Sequence, residues 1–168
     1  MNDTEGITRH IPTLRRYARA LTRDYTAAED LVQDTLERAW RRLYLWRSGS
    51  DLRAWLFTIM HNVHMNQVKS QPHKWNRPAE DEALDLPVTP TQEGRLELRD
   101  LYNALRRLSE DQRAVVLLIG LEQMSYEEAA NVLGVPVGTV MSRLSRGREQ
   151  LRILMNRGSA TAQLKIVK

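Results

Sequence analysis

Apolar residues recur at helical spacing along most of this chain, with polar and charged residues between them. The spacing predicts a first amphipathic helix over residues 7–21, a second from about 26 to 43, and a third over about 52–69. Two further helices are predicted over about 96–108 and 110–121. The second of these is apolar nearly all round, which is typical of the buried centre of a domain. The predicted fold class is therefore all-α.

The stretch 108–152, LSEDQRAVVLLIGLEQMSYEEAANVLGVPVGTVMSRLSRGREQLR, predicts a helix-turn-helix. A short helix should begin after Ser125, because Ser125 and Glu128 have the S-x-x-E form of a capping box. Gly134 can take the positive φ of a C-cap, and the proline two residues later cannot continue the helix. A second helix then opens at about Val137. Its arginines lie largely off its apolar stripe, which is the arrangement of a DNA-recognition helix.

An ordinary αα-hairpin with a solvated basic face would share this turn chemistry. Small polar residues on the second helix favour DNA binding, because they permit close approach to a surface. They are Gly138, Thr139, Ser142 and Ser145, and the charge comes from Arg143, Arg146, Arg148 and Arg152.

Other helix starts carry similar local signals. The stretches 26–29 and 109–112 also have the form of a capping box, and Asp51 is a candidate N-cap after a Ser-Gly-Ser loop. Trp40 is expected in the core. Trp46, beside that loop, is expected to be partly exposed, as an aromatic residue next to arginine is on a platform for single-stranded nucleic acid.

The chain has 25 Lys and Arg against 21 Asp and Glu, a formal charge of +4. The charge is uneven: residues 143–157 hold five arginines and one glutamate, whereas residues 80–93 hold five acids and no base. A basic C-terminal face suggests nucleic acid as a partner.

A change of composition divides the chain. Residues 71–94 contain four of the six prolines, so they are expected to form an extended or disordered linker. The linker separates a domain over 1–70 from a second over 95–157, and a loosely ordered tail is expected over 158–168. Such a linker would let the two domains take separated positions on a large partner.

Several classes of function are disfavoured. Cysteine is absent, and the four histidines show no metal-ligand spacing, so no metal or other cofactor is expected. No phosphate loop or paired nucleophile and base points to an enzyme. No apolar run approaches the ~20 residues of a membrane span and no signal peptide is recognisable, so a cytoplasmic protein without membrane insertion is expected.

Three stretches together resemble the extracytoplasmic-function (ECF) group of bacterial RNA polymerase sigma factors. They are AEDLVQDTLERAWRRL over 28–43, DLRAWLFTIMHNVHMNQVKS over 51–70, and the helix-turn-helix stretch 108–152. They follow the family's order around a linker of suitable length. The resemblance implies that the first domain is sigma region two and the second is sigma region four.

In the family, the polar face of the DLVQ helix docks on the β′ clamp helices of core RNA polymerase, and region four meets the β flap. The resemblance implies a docking face made of Asp30, Gln33, Asp34, Glu37 and Trp40. By periodicity alone, the same residues would form an ordinary solvated face with i,i+4 charge pairs.

In the family, the loop before the WLFTI helix captures an unstacked base of the non-template strand at the minus-10 element. The resemblance implies a site made of Trp46, Arg47, Ser48, Gly49, Ser50 and Asp51, with Asn62 on the following helix. Extruding a base costs a few kcal/mol, which aromatic contact and hydrogen bonds can recover. Opening therefore needs binding energy and no nucleotide hydrolysis.

Region four is implied to bind the minus-35 duplex through the helix that starts at Val137. Its candidate base and phosphate contacts are Thr139, Ser142, Arg143, Ser145, Arg146 and Arg148. Which arginine binds which group stays open. Two departures from the family pattern, Met141 and Gly147, predict a less cationic and more flexible helix, because a mid-helix Gly costs ~1 kcal/mol relative to Ala.

The resemblance thus implies a promoter-specificity subunit that binds core RNA polymerase and promoter DNA, with an anti-sigma factor as a further partner. One alternative is a helix-turn-helix regulator that binds duplex DNA without polymerase. Another is a sigma mimic that sequesters an anti-sigma factor. The DLVQ and WLFTI stretches argue against the first, and the arginines of the last helix argue against the second.

Overall fold

The computed structural model describes residues 3–72 and 91–166, with the backbone alone over 158–166. The described elements are one short 3₁₀ helix, Leu43–Leu45, and seven α-helices. The α-helices are α1 (Asp3–Thr22), α2 (Tyr25–Arg41), α3 (Leu52–Ser70), α4 (Gln92–Arg106), α5 (Glu110–Gly120), α6 (Tyr126–Leu133) and α7 (Val137–Ile166). This confirms the all-α prediction.

Helices α1, α2 and α3 form the first domain. Helix α2 packs against both α1 and α3, and large apolar side chains from all three, including Leu14, Leu31 and Met60, are fully buried. Tyr17 of α1 meets Phe57 of α3 edge to face, with 5.1 Å between ring centroids. This packing holds α2 with one face outward and fixes the direction in which α3 leaves the preceding loop.

The start of α2 differs from the prediction of a capping box over 26–29. The helix begins two residues earlier than that box requires, at Tyr25, and Asp24 is its N-cap, accepting a hydrogen bond from the Ala27 N–H at 3.1 Å. Thr26 and Glu29 therefore lie inside the helix, and the Glu29 carboxylate pairs with Arg15 of α1 at 2.8 Å. Glu29, on which the predicted capping box depended, instead forms an ion pair between α1 and α2.

The other predicted N-caps are present. Asp51 accepts from the Ala54 N–H at 3.1 Å and caps α3. Ser109 accepts from the Gln112 N–H at 3.2 Å and caps α5, which is one half of the capping box predicted over 109–112. These caps satisfy amides at helix starts that would otherwise lack partners.

In the second domain, α7 packs against α4, α5 and α6, and α5 also packs against α6. As predicted, α5 is buried in this domain, with Val115 and Leu118 fully buried. Its Arg113 is also buried and donates to the carbonyl oxygens of Leu105, Arg106 and Leu108, at 2.9 to 3.0 Å. Because these carbonyls lie where α4 ends, one guanidinium ties α4 to α5.

The two domains contact each other directly, through α1 with α5 and through α3 with α6. Two predicted boundaries change. Helix α4 begins at Gln92, so the end of the predicted linker is helical, and α7 continues to Ile166, where the sequence analysis placed a loosely ordered tail. The rest of the predicted linker, 73–90, lies outside the described residues.

Candidate nucleic-acid and polymerase interface

The residues predicted to dock on polymerase lie mainly on one outward face of α2. Asp30, Gln33, Glu37 and Trp40 are exposed, and Glu37 pairs with Arg41 at 2.6 Å. Asp34 differs: it is half-buried and accepts a hydrogen bond from Gln67 of α3 at 2.9 Å. Asp34 therefore also holds α3 against α2, within the first domain.

An exposed apolar patch extends this face beyond the end of α2. Trp40, expected in the core when periodicity alone is considered, is 41% exposed, and Tyr44 and Leu45 of the 3₁₀ helix are 82% and 61% exposed. Tyr44 and Leu45 follow the last position of the α2 stripe, so the apolar pattern of the sequence does not assign them to this face. Exposed large apolar side chains beside a charged face are typical of a protein-binding surface.

The predicted minus-10 loop begins with a tight turn. The Ser50 amide and hydroxyl both donate to the Arg47 carbonyl, at 3.1 and 2.7 Å. Gly49 has φ +94°, which suits the third position of a type II turn. Trp46, at the start of the loop, is half-buried, and the Asp51 cap of α3 fixes the other end of the loop.

Asn62 is exposed on α3 and stands apart from this loop. It lies eleven residues after Asp51, which is ~16 Å along the axis of an α-helix. The structure therefore does not bring Asn62 and Asp51 to one point. A strand lying along α3 would meet them with different nucleotides.

The helix-turn-helix has the predicted local structure. The Ser125 hydroxyl accepts from the Glu128 N–H, and the Glu128 carboxylate accepts from the Ser125 N–H, which completes the capping box. Gly134 ends α6 in the left-handed conformation with φ +64°. Helix α7 starts at Val137 and buries Val140 and Leu144 in the second domain.

The predicted minus-35 residues do not all share one face of α7. Ser142, Ser145, Arg146 and Arg148 are exposed, whereas Thr139 and Arg143 are half-buried. At 3.6 residues per turn, Thr139, Ser142 and Arg146 project in similar directions, and Arg148 lies roughly half a turn away. Arg143 approaches Asp111 of α5, with 3.8 Å between nitrogen and oxygen.

Gly147 has a packing role that corrects the prediction of a more flexible helix. It is buried against α5, and a Cβ built on it would lie 2.8 Å from Cγ2 of Val116. The missing side chain lets α7 approach α5 closely, so Gly147 fixes the position of α7 in the domain.

Polar contacts join the two domains at a seam that the sequence did not predict. Glu122, just after α5, has a fully buried side chain that accepts from Arg16 of α1 at 3.0 and 3.3 Å and from Arg53 of α3 at 3.1 Å. Arg53 also donates to the Glu122 carbonyl oxygen. Nearby on the surface, Arg23 donates to Asn103 of α4 at 3.0 Å.

A second seam contact links His64 of α3 to Glu110 of α5, with 2.8 Å between Nε2 and the carboxylate. Arg113 binds the other oxygen of Glu110 at 2.7 Å. Burial would raise the pKa of Glu110, but the hydrogen bond from His64 and the charge of Arg113 outweigh burial and hold that pKa below its ordinary value.

Acid is expected to destabilise the fold through His61, which lies half-buried on α3. Burial, with smaller contributions from His64 and Arg143, lowers the pKa of His61 to about 4 from 6.5. Between these values the unfolded chain binds a proton that the folded chain does not, so the free energy of unfolding falls as pH falls. Urea denaturation at pH 7 and at pH 4.5 measures this effect. Between these two pH values, the free energy of unfolding should fall by ~2 kcal/mol less in His61→Gln than in the unmodified protein. Equal losses in the two proteins would contradict the assignment.

None of the helices in the described part of the chain is long and apolar enough to cross a membrane. Within those same residues, no group of three or more His, Asp or Glu side chains is placed to hold a metal ion.

Two family models match the two domains separately. Residues 7–61 match the Sigma2 domain of PhyR, and residues 98–151 match Sigma-70, region 4. The first range runs from α1 into the first half of α3, and the second runs from within α4 to the middle of α7. The fold is therefore that of a two-domain sigma protein.

Individual relatives agree with this. The chain is 39% identical over 149 residues to the ECF RNA polymerase sigma factor EcfG of Rhodopseudomonas palustris, covering 86% of this chain and 80% of that protein. It resembles the sigma factor RpoE of Bartonella quintana, solved in complex with the anti-sigma factor NepR, at 37% identity and a TM-score of 0.75, covering 91% and 96% of the two chains. It also resembles CnrH, solved in complex with the cytosolic domain of CnrY, at 30% identity and a TM-score of 0.70, covering 92% and 87%. The chain belongs to the family of ECF RNA polymerase sigma factors.

Proposed function

We propose that this chain is a promoter-specificity subunit that binds core RNA polymerase, directs it to a set of promoters and helps to melt their DNA. The observation that carries the proposal is that one chain combines an exposed acidic and apolar face on α2 with a helix-turn-helix. A regulator that binds duplex DNA alone has no use for the first surface.

For the minus-35 duplex, two roles are proposed among the arginines of α7, supported by the directions in which they project. Arg146 shares an outward face with Ser142 and, less exposed, Thr139, so these residues are proposed to meet base edges in the major groove. Arg148 projects roughly half a turn away from that face and is proposed to bind a phosphate. Arg143, close to Asp111, is proposed to bind DNA from the rim of the same face.

For the minus-10 element, the loop of residues 46–51 is proposed to hold one unstacked base and Asn62 to contact a different nucleotide. The turn at Gly49 supports this role because it sets the loop's shape before DNA binds. A preformed loop loses less conformational entropy on binding than a flexible one does.

An anti-sigma factor is proposed as a further partner, because the related RpoE of Bartonella quintana was solved with the anti-sigma factor NepR. The family model matched by the first domain is named after PhyR, which also favours a second candidate function: a mimic that binds an anti-sigma factor without transcribing. The exposed arginines of α7 favour the sigma function. Transcription in vitro with core enzyme separates the two, since a mimic would give no promoter-specific transcript.

The docking face is tested best at Asp30, which is exposed, rather than at Asp34, which also bonds Gln67. Asp30→Lys reverses one charge on the outer face of α2. We expect about a tenfold weaker association with core polymerase, ~1.4 kcal/mol, measured by competition for core enzyme against a labelled sigma factor.

The matched control is Glu97→Lys, which makes the same charge change at an exposed position of α4 in the second domain. It should leave core binding within twofold. Equal effects of the two variants, or none from Asp30→Lys, would reject the α2 face as the docking surface.

A further inference from the structure

Glu122 presents a buried carboxylate of the second domain to two arginines of the first. Its side chain is 0% exposed, and within the described residues its ion pairs are with Arg16 and Arg53, at 3.0 and 3.1 Å. The two arginines remain partly open to solvent, at 56% and 30% exposure. The site is therefore anion-binding, with both cations on one domain and the anion on the other.

Arg53 lies next to the loop that is predicted to bind minus-10 DNA. It lies in the first turn of α3, two residues after Asp51, which ends the predicted minus-10 loop. A guanidinium binds carboxylate and phosphate with the same bidentate geometry, so two arginines that converge on a carboxylate can also converge on a phosphate.

While its two domains are packed together, the chain cannot contact both promoter elements at once. The minus-35 and minus-10 elements are about 25 base pairs apart, which is ~85 Å of duplex at 3.4 Å per base pair. The longest described element, α7, has 30 residues and is therefore ~45 Å long, about half of that distance. The domains must therefore separate when both elements are bound, and Glu122 must leave Arg16 and Arg53.

We propose that Arg16 and Arg53 form a binding site for a backbone phosphate of promoter DNA beside the minus-10 loop, and that Glu122 fills this site while the domains are packed. The proposal rests on the proposed promoter function. Carboxylate and phosphate exclude each other, because both require the space between the same two guanidinium groups. Glu122 regains water when it leaves, which offsets part of the lost pairing.

Salt dependence of binding tests the phosphate site. Full-length protein is bound to core polymerase and titrated with a promoter fragment that is single-stranded across the minus-10 element, over a range of KCl concentrations. Arg53→Gln and Arg16→Gln should each reduce the slope of log affinity against log salt by ~0.7 to 0.9, the value for one phosphate contact. Arg53→Lys should keep most of the slope.

Arg15 is the matched control, since it neighbours Arg16 on α1 but pairs with Glu29 inside the first domain. Arg15→Gln should leave the slope unchanged. An unchanged slope for both Arg16→Gln and Arg53→Gln would overturn the phosphate site. Failure of the unmodified protein to bind the promoter with core polymerase would overturn the proposed function instead, so the two failures are distinguishable.

The exchange itself is tested without polymerase. Glu122→Gln should raise the affinity of the free chain for single-stranded minus-10 DNA about tenfold and lengthen the distance between fluorophores on α2 and α7. Glu29→Gln makes the same charge change at an ion pair within one domain and should alter neither quantity. If Glu122→Gln changes neither the affinity nor the distance while its circular dichroism matches that of the unmodified protein, Glu122 does not occupy the site in competition with DNA.

Discussion

Arg113→Met is expected to lower the free energy of unfolding by ~3 to 5 kcal/mol, the largest loss that we predict for a single substitution in this chain. Methionine keeps the unbranched stem but removes every donor. The carbonyls of Leu105, Arg106 and Leu108 would lose the guanidinium donor, although the Leu105 carbonyl would keep the Leu108 N–H, and Glu110 would lose one of its two partners. Urea denaturation followed by circular dichroism measures the loss.

The matched control for this prediction is Arg95→Met on the exposed part of α4, which should change stability by less than ~0.5 kcal/mol. Because α5 supports α7, the Arg113 variant should also lose minus-35 binding at temperatures where the control retains it. A loss of stability below ~1 kcal/mol would mean that water replaces the guanidinium and that Arg113 does not hold α4 to α5.

Asn62→Ala is expected to slow formation of the open promoter complex by ~30 to 100-fold, about 2 to 3 kcal/mol, while leaving closed-complex affinity within twofold. The proposed hydrogen bond forms only with an unpaired nucleotide, so its loss should appear at the melting step. Permanganate footprinting reports unpaired thymines, and binding at low temperature reports the closed complex.

Asn66→Ala is the matched control, because Asn66 is exposed one helical turn further along α3 and lies outside the implied site. It should melt the promoter at the normal rate. If Asn62→Ala weakens closed and open complexes equally, Asn62 contacts duplex DNA or supports the fold, and its proposed role in melting is wrong.

Local signals in the sequence predicted the helix-turn-helix well. The capping box at Ser125, the left-handed Gly134 and the start of α7 at Val137 depend on residues within a few positions of each other. Contacts of this kind form between residues that are close together in the sequence, so they can be predicted from spacing alone.

Local signals failed where a distant residue competed for the same group. The box predicted over 26–29 needed Glu29, which pairs instead with Arg15 of another helix, and Asp24 caps α2. Trp40 fits an apolar stripe but lies 41% exposed, because the stripe does not show how much of the helix its neighbours cover. In both cases packing between helices overrode a pattern within one helix.

By itself, the sequence determined the all-α class, the order of the two domains and most of the residues that project from α2 and α7, because helical periodicity and capping fix which side chains share a face. Asp34 and Arg143 are exceptions, since each contacts a neighbouring helix. Only the tertiary structure decided that Arg113 joins α4 to α5, that Gly147 lets α7 lie close to Val116, and that Glu122 lies between Arg16 and Arg53. Each of these depends on a contact between separate helices, and a charge or a glycine looks the same in sequence whether it meets water or another helix.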